Sequence, residues 1–244
     1  MNNSVGNTVR LIGAGLRALL VLTIVCGVLY PLAVTGIAQA AFNDKANGSE
    51  IKDKSGKVVG SSLIGQSYNL PKQAPSDATA GDDADEAVKP DLKWFQPRPS
   101  NGLGSNSVNT QYSLILSGAT NRSADNGAVN GTCTDRAEEG TLCAQVLAAK
   151  EAVIADNSTA PYQVKPEDVP ADAVTSSGSG LDPDISPEYA GLQIHRVAEQ
   201  NKLDVKQVEK LVADHTTGRT LGFMGEPRVN VLELNTALKA LTKS

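Results

Sequence analysis

Imidazoles, thiols and aromatic rings are scarce in this chain of 244 residues: two histidines, three cysteines and aromatics at only 4%. With so few rings there is no base-stacking platform, and a net charge of −5 spread along the chain leaves no basic stripe to neutralise phosphates. The composition therefore argues against nucleic acid as a partner. Cys133 and Cys143 have no histidine near them in sequence, which makes a poor zinc site, but they would close a disulfide if their loop faces an oxidising compartment. Cys26 lies in apolar sequence and reads as a small hydrophobe.

The catalytic inventory is equally thin. His195 falls in mid-helix beside Ile194 and Val197, and His215 in a helix C-terminal turn, both positions that suit a structural imidazole. No G-x-S-x-G elbow frames any serine, and the stretch TSSGSGLDPDISP at 175–187 has glycine and serine but no GKS or GKT phosphate loop. Asp182 and Asp184 are too few to hold a hard cation. The stretch reads as a tight elbow in which Ser186 caps the helix that follows. A hydrolase using His195 is the weakest of the functional readings.

What the chain does have is ALLVLTIVCGVLYPLAVTGIAQAAF at 18–42, uncharged throughout. At about 1.5 Å per residue, it is long enough to cross a hydrocarbon core of roughly 30 Å. Arg10 and Arg17 precede it with no acid before Asp44. Two readings stand: a membrane anchor with residues 1–17 cytoplasmic, or a signal peptide cut at Ala38-Gln39-Ala40, which would release a solute- or surface-binding module. Either way residues 43–244 leave the cytoplasm.

In that region, two β-prone runs flank Lys54-Ser55-Gly56-Lys57, the pattern of a hairpin. Residues 70–91, carrying Asp77, Asp82, Asp83, Asp85 and Glu86, read as a solvated insertion, and 117–140 as a second one. WFQPRPS at 94–100 is stiff and extended, and holds Arg98 either as an ion-pair partner or as an outward contact. Apolar periodicity predicts helices at about 141–155, from Ser186-Pro187, from Asp204 to Gly218, and after Asn230. Asp204 with Gln207, and Asn230 with Glu233, have the spacing of capping boxes. A turn is expected at Gly225-Glu226-Pro227. The order predicts an α+β domain with a small sheet covered by helices.

The blocks NGS (47–49), GSSLIGQ (60–66), WFQPRPS (94–100), VTSSGSGLDPDISPEYAGLQIHRVAEQ (174–200) and GRTLGFMGEPRVNVLELNTAL (218–238), behind an apolar segment, resemble the KdpC family, the C subunits of the Kdp potassium-transporting P-type ATPase. The resemblance implies a single-pass bacterial inner-membrane subunit with its domain outside. It also implies as partners a potassium-channel-like A subunit, an ATP-hydrolysing B subunit, a small F subunit and the lipid bilayer. Potassium would be the transported ion. ATP would be met at or through the B subunit, whose nucleotide affinity the family is described as raising, as a catalytic chaperone. Gln193 matches the glutamine proposed in that family to contact nucleotide. Arg98, Ser179, Gly180 and Asp182, with Arg196, Asn230, Glu233 and Asn235 further on, fall in the matching blocks and become candidates for structural or interface roles. His195 departs from the pattern, standing where the family usually has proline.

Overall fold

The computed structural model describes residues 3–70, 89–100, 117–118, 128, 133–134 and 137–242. The expected acidic loop around Asp77 to Glu86 and most of 117–140 lie outside these residues. The chain divides into two units, Met1–Glu50 and Ile51–Ser244.

The first unit is a long helical rod: α1 (Asn3–Ile24), a π-helical turn (Val25–Leu29), α2 (Tyr30–Ala41) and the short α3 (Asn43–Ala46). Helix therefore begins well before the expected span at 18. The π turn has a local cause. Pro31 has no N–H and its ring crowds the carbonyl one turn back, so the ladder there widens, and Tyr30 N–H bonds to Val25 O five residues earlier. Among the described residues, Val5–Ala41 is the one helix long and apolar enough to span a bilayer, with none of its apolar window buried. Leu20, Leu32 and Ile37 are all more than half exposed. A surface of this kind in water costs about 25 cal/mol per Å², so it fits a membrane anchor.

From Glu50 the chain forms a hairpin of β1 (Glu50–Lys52) and β2 (Val58–Ser61). Its turn is tied by Asp53 Oδ1, which accepts from Ser55 N at 2.8 Å and Lys57 N at 3.1 Å. The sequence then supplies α4 (Leu142–Asn157), a 3-10 turn (Pro166–Asp168), α5 (Ala171–Val174), β3 (Asp184–Ile185), α6 (Pro187–Asn201), α7 (Val205–Asp214), β4 (Thr216–Thr217), β5 (Arg228–Asn230) and α8 (Val231–Thr242). Strands β3, β5 and β4 form, in that spatial order, an antiparallel sheet with Ile185 opposite Val229 and Thr217 opposite Arg228.

The helix starts follow the local chemistry. Ser186 Oγ accepts from Tyr189 N at 3.0 Å, with Pro187 in the first turn where a missing N–H costs nothing. Asp204 and Gln207 complete a capping box. Asn230 supplies its half of the next one, Oδ1 accepting from Glu233 N at 3.1 Å. The helix stop is a correction: α7 ends at Asp214 rather than running to Gly218, because Thr216 and Thr217 are drawn into the sheet beside β5. The expected turn at 225–227 is likewise part of a longer loop pinched at Thr220 and Met224.

The core collects where the helices cover the three-stranded sheet. Ile185 and Val229 face Tyr189, Ile194, Val197 and Ala198 of α6, Val208 and Val212 of α7, and Leu234 and Leu238 of α8. Tyr68 and Phe95, from extended segments, are wholly buried in the same cluster. The WFQPRPS strip thus crosses the core without belonging to either sheet.

Candidate functional site

An extended segment in a core must satisfy its backbone without a neighbouring strand. Here side chains do it. Asn235 of α8 accepts from Phe95 N and donates to Phe95 O, both at 2.9 Å. One residue on, Gln193 of α6 accepts from Gln96 N at 2.7 Å and donates to Gln96 O at 3.1 Å. Two amides from two helices therefore imitate a β-ladder, and both have 0% exposure.

Arg196, one turn after Gln193 on α6, completes the arrangement. The residue is 2% exposed. It donates to Asn157 Oδ1 at 2.8 Å, Gln193 Oε1 at 2.6 Å, Trp94 O at 3.0 Å and Leu92 O. Burial lowers its pKa to about 10, against the pull of Tyr189, Asp156 and Asp91, so it is still a cation at neutral pH. Asp156 alongside is pushed up from the ordinary carboxylate value, first by burial, with Arg196 pulling the other way. A buried charge tied to four acceptors fixes one geometry for the 92–96 strip. A cavity of about 250 Å³ lies beside it, lined by Gln96, Pro97, Pro99, Asp156, Tyr189 and Arg196 among others.

The second expected constellation is the elbow at 175–187. Arg98 reaches across to it, with Nη1 3.4 Å from Asp182 Oδ2 and further bonds to Thr175 O and Ser176 O. Of its two expected roles, this is the ion-pair partner. Gly180 has φ +67, and a Cβ there would run into the Gly118 carbonyl oxygen. Ser179 O accepts from Gly118 N at 2.7 Å, and Ser179 Oγ from Leu181 N. Asp182 Oδ1 takes Asp184 N, and Asn230 Nδ2 reaches Ser62 O, pinning the turn after β2 to the sheet. The elbow is thus a crossing point of four chain segments. No cluster of three or more metal-ligating side chains is found among the described residues.

The remaining candidates sit apart. His195 stacks on Tyr162 at 4.1 Å between ring centroids, with planes 9° apart, a packing contact on the outer side of α6. Cys133 and Cys143 are bonded, their Cα atoms 5.1 Å apart. Two residues of the clamp, Asn157 and Gln96, carried no role in the sequence. The available signal was polarity: Asn157 closes an apolar helix, and Gln96 stands between aromatics and prolines.

The family model for KdpC, described as "K+-transporting ATPase, c chain", matches residues 12–240. The chain belongs to the KdpC family. Among curated relatives, the "Potassium-transporting ATPase KdpC subunit" of Streptomyces avermitilis is 68% identical over 241 residues, covering 99% of this chain and 98% of its own. The subunit of the same name from Streptomyces coelicolor is 61% identical over 99% of this chain and 97% of its own. That of Mycobacterium tuberculosis is 39% identical over 93% and 96%. The KdpC match takes in most of the apolar helix as well as the domain. Nothing in these comparisons supports the released, secreted module.

Proposed function

We propose that this chain is a non-catalytic accessory subunit of the Kdp complex, with residues 1–17 cytoplasmic, 18–42 across the bilayer and 43–244 outside. In this reading it stabilises the assembly of the A, B and F subunits around a domain whose shape is set by the Gln193, Asn235 and Arg196 clamp. The observation that carries it is the complete burial of Gln193 among structural partners. A side chain with no exposure, bonded through its oxygen to Gln96 and Arg196 and through its nitrogen to Gln96, presents no surface to a nucleotide. An effect on the ATP affinity of the B subunit then passes through contacts between subunits rather than through Gln193. The apolar helix and the family match support membrane attachment.

The test is to express the complex with this chain cut after residue 50. The reading predicts that the A, B and F subunits no longer co-purify as a stable set, or that their potassium-stimulated ATPase is lost. Unchanged assembly and turnover would contradict it.

A further inference from the structure

Between β4 and β5 the chain folds a loop whose tip gathers exposed apolar side chains. Three large apolar side chains within four positions point into solvent: Leu221 is 78% exposed, Phe223 71% and Met224 47%. Their presentation is built. Thr220 N bonds to Met224 O at 2.8 Å, Met224 N returns to Thr220 O at 3.0 Å, and Gly222 N bonds to Arg219 O at 3.1 Å. Below this pinch, Arg219 Nη2 meets Glu226 Oε2 at 2.8 Å. Gly222 and Gly225 take left-handed φ of +81 and +79, as the turns require. Leu221 also sits at φ +55, a conformation a leucine rarely adopts. Strain of this sort persists where the surrounding structure imposes it, and it clusters at sites that meet something else.

We infer that this tip is a preformed docking knob that enters an apolar socket on another protein chain of the potassium-transporting assembly. The inference rests on the subunit reading above and adds the place of contact. Charge selects a protein over a lipid surface. The two arginines nearest the tip are each neutralised, Arg219 by Glu226 and Arg228 by Asp184 at 2.9 Å, so no net cation is offered to anionic headgroups. Shape points the same way. A fluid bilayer rewards apolar area in any arrangement, whereas a strained and hydrogen-bonded tip gives an advantage only to a partner of complementary form. Phenylalanine and methionine inside a rim of paired charges match the apolar centre and polar edge of a protein interface.

The experiment uses the full-length chain in the assembled complex, with Phe223 replaced by the photoreactive p-benzoylphenylalanine. Irradiation is expected to join this chain to one other protein chain of the ATPase; an adduct with lipid alone, or no adduct, overturns the inference. A second variant, Phe223→Asp, should lower co-purification with the other chains at least tenfold and leave the unfolding midpoint of the isolated full-length chain unchanged. Undiminished co-purification of Phe223→Asp brings down this inference alone. Failure of the unmodified chain to co-purify brings down the subunit reading together with it.

Discussion

Replacing Gln193 with leucine keeps roughly the side-chain volume and removes every polar contact it makes. The orphans are Gln96 N–H, Gln96 C=O and one guanidinium donor of Arg196. Leaving a buried neutral partner unpaired costs about 1–3 kcal/mol, and a charged donor more. Gln96 is only half-buried, so water recovers part of the loss at its two groups. Taking about 1 kcal/mol for each of these and about 2 kcal/mol for the guanidinium gives a destabilisation of about 4 kcal/mol. That is a large share of a total stability of about 5–15 kcal/mol. Trp94 is the single tryptophan of the chain and its carbonyl is bonded to Arg196, so its fluorescence reports the clamp directly. In urea, with a slope of about 2 kcal/mol per molar, the midpoint of the full-length chain in detergent should fall by about 2 M. A midpoint shift below about 0.5 M, with the ATP affinity of the complex nonetheless weakened, would refute the structural assignment of Gln193 and return it to the nucleotide.

The two arginines should separate clearly in thermal unfolding. Arg196→Met strands Asn157, Gln193 and two carbonyls and should cost about 3–5 kcal/mol, whereas Arg98→Ala breaks only a partly exposed pair and long bonds and should cost about 1 kcal/mol or less. Gly180→Ala forces a side chain into a left-handed position against the Gly118 carbonyl, and should destabilise by about 2 kcal/mol or more in a denaturation series. Asp156→Asn has a pH signature. The folded carboxyl holds its proton above the ordinary 3.8, so the native state loses stability as pH climbs from there through the raised value. The asparagine variant should therefore melt higher than the unmodified chain at pH 7 and equally at pH 3. A variant that melts lower at pH 7 would mean that the attraction to Arg196 outweighs burial.

Features set by neighbouring residues were legible in the sequence. Ser186-Pro187 and Asp204 with Gln207 begin helices wherever they fall, because the capping groups lie within four positions of the N–H groups they serve. The apolar segment was legible for the same reason, although its start was not: residues 3–17 continue the helix without the uniform apolarity that marked 18–42. The clamp was hidden. Gln193 is 97 positions from Gln96, and Asn235 is 140 from Phe95, so no periodicity links them. The early stop of α7 was also a long-range event, decided by the pairing of Thr216 with Val229. Arg98 was narrowed to two roles by its flanking prolines, and only the placement of Asp182 opposite it chose the ion pair.

The orientation of the domain decides its role, since a domain on the cytoplasmic face would have access to ATP. Leu63 is 64% exposed in the second unit and offers a labelling position, whereas a cysteine at 193 would be buried and silent. The measurement is reaction of a Leu63→Cys variant, with Cys26 changed to serine, with a membrane-impermeant maleimide on intact cells. A domain outside the cell gives full labelling before the inner membrane is opened; labelling only after permeabilisation would place the domain inside and contradict the proposed orientation.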